Sequence, residues 1–271
     1  MNIVVCVKYV PDAAADQKFE DDNTVDRIGV DGLLSELDEY AVEQALQIKE
    51  TGDDPDSTVV TVLSMGPEQA TVAVRKALQM GADKGVHVVD DALAGSDALA
   101  TSLVLAEAIK KLGAGPGWDL VVCGMESTDG GMGVIPAMLS ERLGVPGVTL
   151  GSEITVSSKE GGAVVRIRRN GDASTDTIEG TLPLVLSVTD QSCEVRYPSF
   201  KGIMAAKKKP VETWSLGDLG VGPGQVGSGA AWSVVESAIP RPARTAGEIV
   251  TDGDGSGAKA LVDFLASKKF I

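Results

Sequence analysis

Residues 119–143 read Asp119-Leu-Val-Val-Cys-Gly-Met-Glu-Ser-Thr-Asp-Gly-Gly-Met-Gly-Val-Ile-Pro-Ala-Met-Leu-Ser-Glu-Arg-Leu143. The first five residues form a nearly continuous apolar run, which is typical of a strand covered on both faces of a parallel sheet. Residues 135–143 are predicted to form a helix that ends before Gly144. A buried strand, a glycine-rich connection and a helix, in that order, predict one repeat of an α/β structure.

The same alternation extends toward the N-terminus. Apolar runs that predict strands alternate there with segments of helical spacing. The predicted strands are 3–7, 58–63 and 85–89, and the predicted helices are 35–48, 68–80 and 97–112. Alternation at this rhythm predicts a parallel sheet whose strands are joined by right-handed crossovers.

The pattern changes after about residue 150, toward the C-terminus. Short strands are predicted there, separated by glycine-containing turns, and Asn-Gly is a strong hairpin signal. The predicted strands are 154–157, 163–168, 175–178 and 182–188, and the turns contain Gly161-Gly162 and Asn170-Gly171. We therefore predict an α/β fold with a doubly wound, mostly parallel sheet, an antiparallel hairpin excursion and an extended C-terminal arm.

The last 80 residues carry weaker signals. Residues 191–229 are rich in Lys, Gly and Pro and are predicted to be irregular. Residues 258–270 are predicted to form an amphipathic helix, because Ala260, Leu261, Phe264 and Leu265 share one face. The predicted boundary between the α/β domain and this arm lies between residues 190 and 191.

Composition excludes several classes of function. The 271 residues include 24 basic and 39 acidic side chains, a net charge of −15, which argues against nucleic acid as the main partner. Three widely spaced cysteines and one histidine do not form the ligand pattern of a zinc or iron–sulfur site, so no metal is predicted. The chain begins with no signal-like segment and holds no apolar run of spanning length, so we expect a soluble cytoplasmic protein.

The glycine-rich loop Gly124–Val134 is the sharpest chemical feature. Glycines let a backbone approach a phosphate, the N–H groups at a helix start point toward it, and Ser or Thr can donate to it. The loop lacks the lysine of a P-loop and does not follow the first strand, where a dinucleotide fingerprint belongs. The alternative is a surface connection in which Ser127 or Asp129 caps the following helix.

Two further strand ends could meet this loop. In open α/β sheets, ligands lie beyond the carboxyl ends of the strands, where the strand order reverses. Those ends lie near Cys6 and Met65, although each residue taken alone is also an ordinary core residue. His87 lies inside a predicted strand and is interpreted as structural. No nucleophile–base motif is present, which favours a protein without a catalytic site of its own.

A basic stretch, Arg196–Lys209, combines exposed-loop composition with apolar residues. Phe200, Ile203 and Met204 lie beside lysines in a segment that contains no acid. One interpretation is a solvated loop. The other is a docking element, in which an aromatic anchor flanked by charge makes a transient contact with another protein.

Five segments in this order and spacing resemble the beta-subunit family of the electron transfer flavoproteins. They are Val7-Lys-Tyr-Val-Pro-Asp12, Asp38-Glu-Tyr-Ala-Val-Glu43, Arg75-Lys-Ala-Leu-Gln-Met-Gly-Ala-Asp83, Ser127-Thr-Asp-Gly-Gly131 and Arg196-Tyr-Pro through Lys209. The resemblance implies a sheet of the adenine-nucleotide-binding type in residues 1–190 and a partner-docking role for residues 191–271. It also implies a heterodimer with an alpha subunit, in which FAD is held mainly by that subunit.

The resemblance further implies one structural AMP in the beta subunit. The residues implied to bind AMP are Cys6, Ser35, Asp38, Met65, Gly124, Ser127, Thr128, Asp129, Gly130, Gly131, Met132, Gly133 and Val134. Leu37 is implied to lie near the FAD. The residues implied to dock a partner are Tyr197, Phe200, Ile203, Met204, Lys207 and Lys208.

The implied function is an electron carrier and not an enzyme. Such a carrier takes electrons from flavin dehydrogenases, for example the acyl-CoA dehydrogenases of fatty acid oxidation, and passes them to a membrane quinone oxidoreductase without itself inserting into the membrane. Two alternatives stay open. One is a bifurcating-type subunit with a second FAD in place of AMP; the other is a stand-alone α/β protein that binds or hydrolyses nucleotides.

Overall fold

The computed structural model describes residues 1–15, 18–27, 29–115, 117–159, 162–239, 242, 246–247 and 249–271. Its contacts divide the chain into two compact units, Met1–Glu236 and Ser237–Ile271, which are treated separately below. The predicted role of residues 191–271 as a docking arm concerns function and stays a prediction.

The first unit contains all the strands of the described residues. In chain order they are β1 (Asn2–Cys6), β2 (Tyr9–Pro11), β3 (Gly32–Leu34), β4 (Val59–Met65), β5 (Lys84–Val88), β6 (Leu120–Gly124), β7 (Gly147–Gly151), β8 (Glu153–Lys159), β9 (Gly162–Asn170), β10 (Thr175–Thr181), β11 (Leu184–Val188) and β12 (Val211–Trp214). Seven of them form a parallel sheet in the order β12-β5-β4-β1-β6-β11-β7. The predicted parallel sheet is confirmed.

Helices cover both faces of this sheet. Within its described residues the first unit has the α-helices α1 (Glu36–Thr51), α2 (Thr71–Met80), α3 (Ala98–Gly113), α4 (Ile135–Leu143), α5 (Phe200–Ala206) and α6 (Leu216–Leu219), and the second unit has α7 (Gly257–Ser267). Helices α1 and α2 pack on the face that holds Ile3 and Val5, whereas α3 and α4 pack on the face that holds Val4 and Cys6. Alternate residues of β1 thus enter two separate cores, which confirms the doubly wound arrangement.

The strand order fixes where a ligand could bind. From β1 the chain builds outward through β4 and β5, and then crosses to the other side of β1 to form β6. The order therefore reverses between β1 and β6. In open α/β sheets, a crevice opens at such a point beyond the carboxyl ends of the two strands.

The hairpin excursion is also confirmed. Strands β8, β9 and β10 form a separate antiparallel sheet, in which β9 pairs with both neighbours. The β9–β10 connection contains the predicted Asn170-Gly171 turn, and the Gly171 N–H donates to the Ser174 carbonyl. Of the Gly161-Gly162 turn, Gly161 lies outside the described residues.

The prediction that residues 191–229 are irregular is wrong. The structure places α5, β12 and α6 there, and β12 pairs with β5 as the edge strand of the main sheet. The helix escaped prediction because the apolar side chains of α5 face solvent, so they do not form the buried stripe that marks a helix in sequence. The strand escaped because it has four residues and directly follows Pro210.

The second unit contains α7, which confirms the predicted terminal helix to within three residues. Leu261, Val262 and Phe264 of α7 are each more than half exposed. None of the helices in the described part of the chain combines the length and the apolar character needed to cross a membrane.

Candidate functional site

Three of the predicted site residues lie at one edge of the main sheet. Cys6 ends β1, Met65 ends β4 and Gly124 ends β6, and β1 is paired with both neighbours. Cys6 is buried and Met65 is partly buried. The structure thus brings together the strand ends that the sequence placed at a common ligand site. We call the space between the ends of β1 and β6 the crevice.

Asp38, in the first turn of α1, joins the two strand ends. Its carboxylate accepts a hydrogen bond from the Lys8 backbone N–H, at 2.8 Å from Oδ2, and another from the Gly124 N–H. Burial raises the pKa of Asp38 to about 7, and these two hydrogen bonds oppose the shift. The carboxylate therefore changes its charge near neutral pH within the floor of the crevice.

Gly124 is fitted closely against α1. A Cβ atom at this position would lie 2.6 Å from Asp38 Oδ1 and 2.8 Å from the Leu37 carbonyl oxygen. Neither distance leaves room for a methyl group, and the carbonyl is part of the backbone. The first residue of the glycine-rich loop is therefore a glycine because α1 and β6 approach each other here.

Asp129 is held by two cations that the sequence reasoning did not single out. Its Oδ1 accepts from Lys8 Nζ at 2.8 Å, and its Oδ2 accepts from an Arg27 guanidinium nitrogen. Burial alone would raise the pKa of Asp129, but the positive charges of Lys8 and Arg27 hold the pKa well below its usual range. The Asp129 side chain is 1% exposed, so its ion pairs with Lys8 and Arg27 hold the loop by its buried side.

The rest of the loop is exposed to solvent. Gly131 and Gly133 adopt left-handed conformations, with φ of 57° and 64°. Gly130 through Gly133 are exposed, and among the described residues the N–H groups of Met132, Gly133 and Val134 donate no hydrogen bond. Helix α4 begins directly afterwards. Free N–H groups at the start of a helix suit an anionic group such as a phosphate.

The capping of α4 by Ser127 or Asp129, which the alternative interpretation predicted, is not found, although the loop does lie at the surface. No side chain caps α4 at its N-terminus. Ser127 Oγ accepts instead from the Gly130 N–H at 3.3 Å and from Lys8 Nζ at 3.2 Å, and Asp129 is engaged as described above. Both predicted capping side chains thus stabilise the loop itself.

Ser35, immediately before α1, has an unusual environment. Its side chain is fully buried, and its Oγ has no hydrogen-bond partner among the described residues. Its backbone N–H donates to the Lys8 carbonyl, which places it beside the end of β1. An unpaired buried hydroxyl is costly, so a polar atom of a bound ligand would stabilise it once the chain around Ser35 opens to admit that atom. Leu37 follows two residues later and is half-buried against Gly124.

Two other buried polar atoms lie nearby in the sheet without a partner in the described part of the chain, Ser64 Oγ and His87 Nε2. Ser64 and His87 face each other across the β4–β5 pair. Burial lowers the pKa of His87, and the carbonyls of Gly66 and Pro67 oppose this shift by accepting from its ring. His87 is therefore a buried, neutral ring held by backbone, in agreement with a structural role.

The basic segment Arg196–Lys209 displays its apolar side chains to solvent. The exposed fraction is 95% for Tyr197 and 80% for Phe200, and Ile203 and Met204 are also exposed. Lys207 and Lys208 are exposed beside them. The structure therefore brings together on one segment the six residues that the resemblance implies for docking.

Helix α5 is fixed to the body of the first unit by polar contacts. Arg196 Nε donates to Glu43 Oε2 at 2.6 Å, and its Nη1 donates to Glu50 Oε1 at 2.6 Å. Lys209 Nζ donates to the carbonyls at the end of α2, those of Leu78, Gly81 and Ala82. Lys209 thus differs from its two exposed neighbours, because it terminates α2 and is not available to a partner.

Comparison with known proteins identifies the family. A family model described as the electron transfer flavoprotein domain matches residues 22–219. An electron transfer flavoprotein subunit beta from Mycobacterium tuberculosis (strain ATCC 25618 / H37Rv) is 47% identical over 273 residues, which cover 100% of this chain and 99% of the relative.

More distant relatives also match over the full length. A subunit beta from Megasphaera elsdenii is 32% identical, covering 99% of this chain and 97% of the relative. The caffeyl-CoA reductase-Etf complex subunit CarD from Acetobacterium woodii is 34% identical with the same coverage. The chain therefore belongs to the electron transfer flavoprotein family, among its beta subunits.

Proposed function

We propose that the chain binds AMP in the crevice and supports electron transfer as the non-catalytic partner of an FAD-carrying alpha subunit in the cytoplasm. The observation that carries this proposal is the set of unpaired polar groups around one crevice. They are the N–H groups of Met132, Gly133 and Val134, which have no partner among the described residues, and the buried hydroxyl of Ser35. These groups fit an anionic phosphate and a polar ribose or base.

The residues divide the work of holding such a nucleotide. The loop N–H groups would bind the phosphate, and Ser35 would pair with a polar atom deeper in the crevice. Asp38 and Asp129 hold the two walls in place through Lys8, Gly124 and Arg27. A nucleotide held by backbone and small side chains in this way would support the fold and take no part in redox chemistry.

The flavin would be held mainly by the alpha subunit, and when bound it supplies one- and two-electron redox chemistry. Leu37 lies half-buried at the start of α1 and would form an apolar part of the wall on this side. Passing electrons between cofactors requires closeness and not an acid–base pair. We therefore assign no catalytic residue to this chain.

Docking to the electron donor is assigned to the basic segment. Phe200 would insert as the apolar anchor, and Lys207 and Lys208 would steer an acidic partner surface. The donors would be flavin dehydrogenases such as acyl-CoA dehydrogenases, and the acceptor a membrane quinone oxidoreductase. The segment is small, so the contact would be transient, as a shuttle between two partners requires.

A second candidate is a bifurcating-type subunit that holds another FAD in place of AMP. It is favoured by the full-length relative that is named as part of a caffeyl-CoA reductase-Etf complex. The exposed loop at Gly130 through Gly133 would leave space beyond the phosphate for a longer ligand. A stand-alone nucleotide hydrolase has less support, because the full-length relatives are named as subunits.

The deciding experiment is the cofactor content of the pair. The chain is co-expressed with its alpha subunit, the purified complex is denatured, and the released nucleotides are identified and counted. We expect one AMP and one FAD per heterodimer. Two FAD and no AMP would establish the second candidate, and a well-folded complex without any adenine nucleotide beyond one FAD would overturn both.

A further inference from the structure

Two cysteines lie side by side beneath the crevice. The β1–β6 register pairs Val4 with Val121 and Val5 with Val122, so the next residues, Cys6 and Cys123, are opposite each other. Both belong to the core on the α3–α4 face, which shows that their side chains leave the sheet on the same side. Neighbouring strands lie about 4.8 Å apart, within the Cα separation of about 4.4–6.8 Å found in disulfides.

The two thiols are in contact and differ from the third cysteine. Cys6 and Cys123 are 8% and 4% exposed, and their thiols interact with each other. The neighbouring Cys6 thiol, together with burial, raises the pKa of Cys123 well above its usual value. Cys193 lies elsewhere, where its thiol is 3.8 Å from the Tyr40 carbonyl oxygen. The chain therefore carries one dithiol and one separate thiol that can serve as an internal standard.

We infer that Cys6 and Cys123 are an oxidisable dithiol, which closes to an intramolecular disulfide when hydrogen peroxide enters the crevice. Cys6 attacks the peroxide O–O bond as the thiolate, because the raised pKa of Cys123 keeps that thiol protonated, and this step gives a sulfenic acid on Cys6 and releases one water. The second thiol then attacks the sulfenic sulfur, forms the S–S bond and releases a second water. Two thiols and one peroxide thus yield one disulfide and two waters, so the protein loses two electrons and two protons.

The disulfide and a bound nucleotide would oppose each other, a step that rests on the proposed function. Cys123 directly precedes Gly124, and Cys6 lies two residues before Lys8. The backbone N–H groups of Gly124 and Lys8 are the two donors from which the Asp38 carboxylate accepts hydrogen bonds. Disulfides prefer Cα separations of about 5.5–6 Å, so closure would spread β1 and β6 and disturb this floor. A nucleotide in the crevice would in turn cover the dithiol.

The test uses the full-length chain in complex with its alpha subunit. The reduced, nucleotide-free complex is treated with hydrogen peroxide, alkylated, digested without reductant and mapped by mass spectrometry. We expect a linked peptide pair that contains Cys6 and Cys123, with two hydrogen atoms lost, while Cys193 is recovered alkylated. The Cys193→Ser variant should give the same pair and Cys123→Ser should not. Separate recovery of Cys6 and Cys123, alkylated or over-oxidised, in the wild-type complex would overturn the inference.

A second arm adds AMP at about 100 times its measured Kd. If only the nucleotide-free complex reacts, disulfide formation should slow about 100-fold. An unchanged rate with AMP shown to be bound by equilibrium dialysis would overturn the opposition between disulfide and nucleotide. If no AMP binds, the proposed nucleotide site fails, while the linked peptide still decides the dithiol.

Discussion

The crevice buries charged side chains, whereas the basic segment exposes apolar ones. In the crevice the charge is inside: the Asp129 side chain is 1% exposed between Lys8 and Arg27, and the N–H groups of Met132, Gly133 and Val134 have no partner among the described residues. In the basic segment the apolar groups are outside: Phe200 is 80% exposed, whereas the Glu43 side chain that pairs with Arg196 is 4% exposed.

This difference separates two kinds of recognition. A small polar ligand is held by preformed hydrogen-bonding groups, and fixing them requires buried charges that cannot rearrange at low cost. A protein partner that must leave again is bound by a small apolar anchor with exposed charges around it. Variants in the crevice should therefore alter stability and nucleotide content, and variants on the basic segment should alter only the encounter with partners.

The largest expected effect concerns the pH dependence that Asp38 gives to the crevice. The pKa of Asp38 is about 7 in the folded chain, against an ordinary value of 3.8 that we take for the unfolded chain. Between pH 3.8 and pH 7 the folded state therefore binds more protons than the unfolded state. The free energy of unfolding should consequently fall as the pH rises through this range, by up to about 4 kcal/mol. The Asp38→Asn variant has no carboxyl group to titrate at this position, so its free energy of unfolding should not show this decrease. Urea denaturation at a series of pH values between about 4 and 7 measures the difference.

Asp129 provides the contrast within the same crevice. Its pKa is held well below the usual range, so its stabilising effect is present at neutral pH and is lost only as the pH falls into the acid range, below about 4. Asp129→Asn should therefore keep most of the fall in unfolding free energy between pH 5 and 7, because the Asp129 charge is the smallest of the causes that set the pKa of Asp38. If the free energy of unfolding changed equally with pH in the wild type and in Asp38→Asn, Asp38 would not titrate between pH 5 and 7.

The next effect comes from Gly124→Ala. The added methyl group would lie 2.6 Å from Asp38 Oδ1 and 2.8 Å from a backbone carbonyl oxygen, so α1 or β6 must shift. We expect about 3 kcal/mol of lost stability and loss of bound nucleotide. Gly224→Ala is the matched control, because a Cβ there has no heavy atom within 4 Å. A variant as stable as the control would show that α1 and β6 can separate freely.

Asp129→Asn should cost about 2 kcal/mol at neutral pH. The change removes two ion pairs and leaves Lys8 and Arg27 facing each other, although both cations are partly exposed and screened by solvent. Glu153→Gln breaks a pair with Arg168 in which both side chains are exposed, and it should cost less than about 1 kcal/mol. Chemical denaturation of both variants compares them, and equal losses would contradict the role given to the buried carboxylate.

On the basic segment, Phe200→Ala should leave stability and nucleotide content unchanged. Removal of the anchor is expected to weaken docking by about 2 kcal/mol, or roughly thirtyfold in the rate of reduction at low carrier concentration. Val72→Ala, another exposed apolar position on α2, is the control and should have no effect on reduction. The rate at which a dehydrogenase reduces the carrier is measured in stopped flow. An unchanged rate for the Phe200→Ala variant would show that Phe200 is not the docking anchor.

The smallest effects separate the three adjacent lysines. Lys207→Gln and Lys208→Gln should each slow reduction by less than tenfold, and only at low ionic strength, because exposed charges act through steering. Lys209→Gln should instead lower stability by about 1 kcal/mol, because its ammonium group pairs with three carbonyls of the α2 end. Identical behaviour of Lys208→Gln and Lys209→Gln in both assays would contradict the division between them.

The sequence predicted the parts of the fold that are written in local patterns. Buried parallel strands such as β1 and β6 appear as apolar runs, and α4 was predicted at its observed limits, Ile135–Leu143. Strands β2 and β3 were missed, because about 20 residues separate two pairing segments of only three residues each. No local pattern in a sequence encodes such a pairing.

The same limit applies to the site. The loop and the strand ends could be placed from the sequence, because parallel strands end at a common edge. Lys8 and Arg27 could not, since they meet Asp129 across 121 and 102 positions of the chain. A lysine directly after a buried strand was the only local signal, and Arg27 lies in an acidic loop that offers none.

The central position of β1 has a consequence for how the chain is made. Strand β1 leaves the ribosome well before β6, which is one of its two neighbours and whose residues follow more than 100 positions later. Synthesis at about 5–20 residues per second separates the two strands by several seconds. During that interval one edge of β1 is unpaired, and closing so distant a contact is slow. The crevice is completed late, and an antibody or ligand that recognises it would report finished molecules only.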